Sequence, residues 1–165
     1  MHPVHPHPSL PGQESVWDFP RPAIAEPTAA HILIRLAGVI VAETRRAVRT
    51  LETSHPPSYY IPPEDIAPGA FVLASGSSFC EWKGHAGYFD VSAGGERRER
   101  AAWSYSDPAK PFAILRSHIA FYAGAMDACF VDGELVTPQS GGFYGGWITL
   151  AVAGPFKGGP GSQLW

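Results

Sequence analysis

Residues 52–63 combine side chains that can transfer protons with a backbone that proline holds stiff. Glu52 offers a carboxylate, Ser54 a hydroxyl and His55 an imidazole, and four prolines follow within the segment. Each proline fixes its own φ and restricts the residue before it, so the neighbouring side chains have little freedom. These residue types predict acid/base chemistry by Glu52 or His55. The same types also make an ordinary polar turn, and the sequence leaves that alternative open.

Residues 80–84, Cys-Glu-Trp-Lys-Gly, form a second group with chemical capacity. Lys83 is a cation that can stabilise an oxyanion developing on a substrate. Cys80 is a weaker candidate, because a covalent nucleophile needs a thiol pKa lowered by a neighbour such as His55 or Lys83. A lysine near one or two carboxylates is also typical of an ion pair that holds sheets together, which is the alternative.

The elements that must position these groups have the patterns of strands and tight turns. With 18 glycines and 17 prolines among 165 residues, long helices are not expected. Alternation over 32–36, followed by the β-branched run 39–42, predicts a hairpin, and Asp-Gly at 132–133 predicts another. The short apolar run 70–74 predicts a further strand. Residues 47–52 fit a strand slightly better than a helix, so that Glu52 ends a strand. The sequence therefore predicts a mainly β fold with few short helices.

Length and composition predict one domain behind a short tail. A chain of 165 residues suits a single core. Residues 1–14 place His2, His5 and His7 between prolines, which predicts a flexible His/Pro-rich tail. Residues 15–165 are then a single mainly β domain, which begins with an extended N-terminal arm.

Charge and cysteine usage exclude several classes of function. A net charge of -3 argues against binding nucleic acid through a broad basic surface, and the basic residues at 97, 98 and 100 alternate with Glu96 and Glu99 as on a solvated face. Two cysteines 49 positions apart, Cys80 and Cys129, support neither a disulfide framework nor a four-thiolate zinc site. No apolar run has the length of a signal peptide or membrane span. We expect a cytoplasmic protein without membrane or nucleic-acid partners.

Several motifs occur together along the chain, namely Glu-Thr-Ser-His-Pro-Pro at 52–57, Tyr-Tyr-Ile-Pro at 59–62, Cys-Glu-Trp-Lys-Gly at 80–84, Ala-Trp-Ser-Tyr at 102–105, Phe-Tyr at 121–122, the segment 127–134, and the glycine-aromatic stretches 141–147 and 154–161. Over about residues 15–165 they resemble the domain of unknown function 427 family, sometimes labelled nucleotidyltransferase-like. The resemblance implies bent antiparallel sheets, similar to the tent-like architecture of methionine sulfoxide reductase B and the ligand-binding domain of cereblon. It implies no established reaction.

The chemistry of those structurally similar proteins does not carry over to this chain. They usually hold zinc with two Cys-x-x-Cys pairs, which this sequence lacks. Nucleotidyl transfer normally needs carboxylates placed together to hold magnesium, and the sequence has no Asp-x-Asp pair. We therefore predict no metal and no cofactor.

Similarity and spacing together predict that the two polar loops meet in a small-molecule pocket. The proposed catalytic residues are Glu52, His55, Cys80 and Lys83, and the proposed ligand-binding residues are Ser54, Tyr60, Glu81, Trp103, Tyr105 and Tyr122. Two other classes stay open. The aromatic residues can form a non-catalytic box for a flat or cationic ligand, or the glycine-aromatic C-terminal tail can join copies of the chain into a homo-oligomer.

Overall fold

The structure is a computed structural model that describes residues 3–165, so His2 lies outside the described residues. Its strands are β1 (Glu14–Ser15), β2 (Ile24–Pro27), β3 (Ile32–Leu36), β4 (Val39–Thr44), β5 (Val48–Leu51), β6 (Ser58–Ile61), β7 (Phe71–Cys80), β8 (Gly84–Ala93), β9 (Glu96–Ser104), β10 (Ile119–Phe121), β11 (Ala128–Val131), β12 (Glu134–Leu135), β13 (Thr137–Pro138), β14 (Trp147–Ile148) and β15 (Val152–Ala153). Short 3-10 helices lie at η1 (Val16–Asp18), η2 (Pro63–Asp65), η3 (Lys110–Leu115) and η4 (Ala123–Ala125). The prediction of a mainly β fold with few short helices is confirmed.

Two sheets contain most of these strands. A seven-stranded sheet has the order β2-β5-β6-β10-β9-β8-β7, and a four-stranded sheet has the order β12-β11-β3-β4. The neighbouring strands in both sheets run antiparallel. Two further pairs, β13 with β14 and the parallel β1 with β15, involve the C-terminal segment. Within residues 3–165, no helix has the length and apolar character needed to span a membrane.

The predicted hairpins are present, and one strand is longer than expected. β3 and β4 pair across the turn at 37–38, and β11 and β12 pair across Asp132, whose φ of 49° is the conformation the Asp-Gly turn requires. The strand expected over 70–74 continues instead to Cys80. Its second half lacks apolar alternation and follows a register shift between Leu73 and Ser77, where Gly76 has a φ of 94°. Pairing with β8 resumes after this irregularity.

The two faces of the seven-stranded sheet have different roles. Alternate residues of a strand point to opposite faces. One face packs on the four-stranded sheet and forms the main core, with Tyr59, Ile61 and Phe121 among its buried residues. On the other face, the register aligns Tyr60 with Ala120, Ala120 with Trp103, and Trp103 with Tyr88. This row across β6, β10, β9 and β8 is the floor on which the candidate site is built.

Candidate functional site

A cavity of about 360 Å³ lies above this floor, where the loop after β5 meets the turn between β7 and β8. Such a volume is within the ordinary range for small-molecule sites. Nine of the ten sequence-predicted site residues line it: Glu52, His55, Tyr60, Cys80, Glu81, Lys83, Trp103, Tyr105 and Tyr122. The two polar loops therefore meet at one cavity.

Strand alternation accounts for the direction of Glu52. Val48 packs beside Tyr60, and Thr50 lines the cavity. Because alternate residues share a face, Glu52, which lies just beyond the end of β5, also points to the cavity. The backbone then turns, and the amide of His55 donates to the carbonyl of Glu52 at 3.0 Å. This turn brings the imidazole back over the carboxylate, with 3.7 Å between His55 Nε2 and Glu52 Oε2.

Lys83 lies in the turn between β7 and β8, and its side chain is only 10% exposed. Its ammonium Nζ is 4.0 Å from Glu52 Oε1, and it donates to Cys80 Sγ at 3.5 Å. The ammonium also lies 5.6 Å from the centre of the Phe112 ring. A buried cation, a carboxylate and a thiol thus share one end of the cavity.

Gln139 fixes the tautomer of His55. Its Nε2 donates to the carbonyl of Lys157 at 2.7 Å, and its Oε1 accepts from the amide of Gly146 at 3.1 Å, so two backbone contacts orient the amide. The same Nε2 lies 3.1 Å from His55 Nδ1, which must accept this hydrogen bond. The neutral imidazole therefore has its proton on Nε2, on the side of Glu52. Burial lowers the pKa of His55, while the carboxylate of Glu52 opposes that shift.

Tyr105 and Tyr122 pack against Tyr60, Trp103 and Tyr88, and these five residues form the aromatic floor, which is held by contacts among its own rings. Trp103 Nε1 donates to the hydroxyl of Tyr60 at 3.2 Å, and the Trp103 ring lies 4.6 Å from that of Tyr122. Burial raises the pKa values of Tyr60 and Tyr105, and it raises the pKa of Tyr122 to about 12. These phenols stay protonated near neutral pH, so they shape the cavity and can donate hydrogen bonds, but they do not act as bases.

Ser54 and Glu81 differ in their position relative to the cavity. Ser54 is fully buried and does not line it, because its φ of 72° and its backbone hydrogen bonds to Val16 and Lys157 fix it inside the turn. Its hydroxyl has no hydrogen-bond partner among the described residues. Glu81 is exposed at the rim. The structure thus brings Glu52, His55 and Lys83 together, leaves Glu81 at the edge, and excludes Ser54.

Residues 24–132 match the family described as domain of unknown function (DUF427). The chain belongs to this family. No curated protein matches the chain. The matched range of the DUF427 family contains Glu52, His55, Cys80, Lys83 and the aromatic floor, so the chemically capable part of the cavity lies within the family domain.

The other wall of the cavity lies outside the range matched by the DUF427 family, and the sequence interpretation missed much of it. Gln139, Phe143, Tyr144 and Lys157 all line the cavity. The glycines beside Phe143, Tyr144 and Lys157 were the available signal, because they permit close approach of backbone. At Gly145, a Cβ atom would lie 2.1 Å from Trp103, so only glycine fits there. No sequence feature around Gln139 indicated that it would line the cavity.

The lowered pKa of His55 predicts a loss of stability in mild acid. Below the usual pKa of 6.5, the unfolded chain takes up a proton that the folded chain resists, so the free energy of unfolding falls as the pH falls. We expect chemical denaturation at about pH 7.5 and pH 5 to show this fall, and His55→Gln to reduce it. The control is His85→Gln, at an exposed histidine, which should show the same decrease in the free energy of unfolding as the wild type. Parallel behaviour of wild type and His55→Gln would contradict the assignment.

The two thiols are expected to differ in reactivity. Burial raises the pKa of Cys129 to about 12, and its side chain is 2% exposed, whereas Cys80 is partly exposed on the cavity. Because the thiolate is the nucleophile, iodoacetamide at pH 8 should modify Cys80 and leave Cys129 intact in the folded protein. Mass spectrometry should find a single adduct, and none in Cys80→Ser. An adduct on Cys129 before the protein unfolds would contradict the burial of this thiol.

Proposed function

We propose that this protein is a small-molecule enzyme that moves a proton at a carbon next to a carbonyl group. Glu52 is the base and Lys83 is the cation that stabilises the oxyanion formed on the carbonyl oxygen. His55 lies beside this carboxylate, with its Nε2 atom 3.7 Å from Glu52 Oε2. This assignment uses the groups that line the cavity and needs no cofactor.

The loose pairing of Glu52 with Lys83 is the observation that supports this proposal. Arg46–Asp65 and Arg49–Glu14, ion pairs elsewhere in the chain, have N–O distances of 2.8 Å. Glu52 and Lys83 are 4.0 Å apart although the Lys83 side chain is 10% exposed. Among the described residues, the sulfur of Cys80 is the one hydrogen-bond acceptor of the ammonium. A purely structural buried pair requires close contacts to offset desolvation, whereas a pair that serves a ligand retains unused donors and acceptors.

The reaction uses the two charges in turn. Glu52 takes the proton from the carbon, and the C–H electron pair forms the C=C bond of an enolate while the carbonyl π pair moves onto oxygen. Lys83 stabilises the resulting negative charge. The proton held by the Glu52 carboxyl exchanges with solvent before a proton is delivered back to carbon. Delivery to the same carbon replaces its hydrogen by a solvent hydrogen, and delivery to the γ-carbon of a β,γ-unsaturated substrate moves the C=C bond. In both cases the carbonyl group re-forms and no atom is lost. Glu52 is preferred over His55 as the base because His55 Nδ1 already accepts from Gln139.

Deuterium incorporation tests this function across a whole class of candidate substrates. Small ketones, aldehydes and keto acids would be incubated with the protein in D₂O, and mass spectrometry would detect deuterium on carbon. We expect at least one compound to exchange faster than in buffer. If compounds bind in the cavity but none exchanges, the proposal is overturned in favour of a binding module.

The contacts within the aromatic floor favour that binding module as the second candidate. Tyr60, Trp103, Tyr105 and Tyr122 lie with neighbouring ring centres 4.6 to 6.3 Å apart. A flat ligand can stack on such a surface without any chemistry. Binding of a compound in the cavity without deuterium exchange on its carbon atoms is the result that would distinguish a binding module from the enzyme.

A further inference from the structure

Arg100 differs from the other arginines of the basic segment in β9. Arg97 pairs with Asp90 and Arg98 pairs with Glu96. Among the residues from 3 onward, no carboxylate pairs with the guanidinium of Arg100, which instead lies 4.3 Å from the centre of the Tyr88 ring. A solvated strand face explains the first two arginines and leaves the third unexplained.

An irregularity of the backbone turns Arg100 out of the strand pattern. Arg100 is three positions before Trp103, so regular alternation would put it on the opposite face of the sheet. Its φ is 49°, its amide donates to Asp90 Oδ1 at 2.9 Å, and the register of β8 and β9 shifts between Phe89 and Val91. This bulge brings the guanidinium to the ring of Tyr88, on the face that bears the site.

The space beside Arg100 is a second cavity of about 640 Å³, which adjoins the first. Both cavities are lined by Tyr88, Tyr122 and the loop residues Phe143 to Gly145. Among the described residues that line the second cavity, Arg100 is the one charged side chain. The first cavity is mixed in charge, because Glu52 and Glu81 accompany Lys83 and Lys157. The second is therefore the part that favours an anion.

We propose that the second cavity binds the carboxylate of a planar, aromatic or unsaturated ligand whose carbonyl end lies at Lys83. This deepens the proposed function and rests on it. A guanidinium offers two parallel donors that match a carboxylate, and the hydroxyl of Ser78 lies in the wall shared by the two cavities. The rings of Tyr88, Tyr122, Phe143 and Tyr144 suit a flat ligand body. One unpaired cation matches one carboxylate better than it matches a phosphate with up to two negative charges.

Benzoate and benzamide test this site in the full chain, because they have nearly the same shape and differ in charge. Nuclear magnetic resonance titration should detect benzoate through Arg100 Nε and the amides of Phe143 and Tyr144. We expect benzamide to bind at least about tenfold more weakly, since charge-assisted hydrogen bonds are lost. We expect a similar loss of benzoate affinity in Arg100→Gln and none in Arg98→Gln. Equal affinities for benzoate and benzamide in the wild type would overturn the proposal without any variant.

Further outcomes separate this site from the proposed chemistry. Benzoate affinity that survives in Arg100→Gln but is lost in Lys83→Met would put the carboxylate at Lys83 and overturn the Arg100 site. Tighter binding of phenyl phosphate than of benzoate would overturn the choice of carboxylate. Deuterium exchange with no benzoate binding overturns this site alone, whereas Arg100-dependent benzoate binding with no exchange overturns the proposed function alone.

Discussion

Glu52→Gln is expected to lower the rate of deuterium exchange by about 10²- to 10⁴-fold, the usual contribution of a general base. Glutamine keeps the shape of the side chain but cannot accept the proton. The melting temperature should stay within a few degrees of the wild type, because the pair with Lys83 at 4.0 Å contributes little stability. Glu81→Gln is the matched control, since Glu81 lines the same cavity at its exposed rim and should keep most of the exchange rate.

A structural ion pair would give the opposite result. Removing one partner of a buried pair that holds the fold costs about 3 to 5 kcal/mol, because the other charge remains buried alone. Lys83→Met separates the two cases, since methionine fills a similar space without charge. We expect Lys83→Met to lose deuterium exchange and to keep the melting temperature of the wild type. A large drop in melting temperature in both Glu52→Gln and Lys83→Met, together with unchanged exchange per folded molecule, would assign the pair to the fold.

Trp147→Ala is expected to destabilise the protein by about 3 to 5 kcal/mol, as is typical for a buried tryptophan. Trp147 is 1% exposed in the main core, its Nε1 donates to the carbonyl of Phe121 at 3.0 Å, and its ring lies 5.3 Å from that of Tyr59. The residue lies beyond the matched range 24–132. A loss of this size would mean that the C-terminal segment contributes to the stability of the family domain.

Denaturant unfolding monitored by circular dichroism would measure this effect. Leu150→Ala is the control in the same segment, because Leu150 is 77% exposed and its replacement should change stability by less than about 0.5 kcal/mol. Similar small effects for both variants would contradict the packing of Trp147 into the core. A separate, low-denaturant transition in the wild type would show that the segment unfolds independently.

The sequence predicted the parts of the fold that depend on local patterns. The hairpin at 32–44 and the Asp132 turn followed from alternation and from a residue pair that tolerates positive φ. The prolines after residue 52 predicted a strand over 47–52, and the observed strand β5, Val48–Leu51, ends one residue before Glu52. These features depend on neighbours along the chain, so the local sequence is sufficient to predict them.

The features that depend on distant contacts were not predictable in this way. Ser54 was expected to bind ligand, but its positive φ turns it inward, and nothing in its neighbours along the chain reveals that conformation. Gln139 reaches His55 from 84 positions away, so no local pattern marks it. Arg100 was grouped with a solvated strand face, because the bulge that redirects it arises from pairing with β8. Each of these outcomes was decided by packing between elements.

If Glu52 and Lys83 act chemically on a molecule held in the cavity, proton exchange on carbon must depend on Glu52. The most direct test measures deuterium incorporation into carbon acids by wild type, Glu52→Gln and Glu81→Gln in parallel D₂O incubations, each at matched folded concentration. We expect exchange by wild type and Glu81→Gln, and a rate at least about 10²-fold lower in Glu52→Gln. Exchange at equal rates in all three proteins would contradict a chemical role for Glu52, and so would wild-type exchange no faster than in buffer with compounds shown to bind in the cavity.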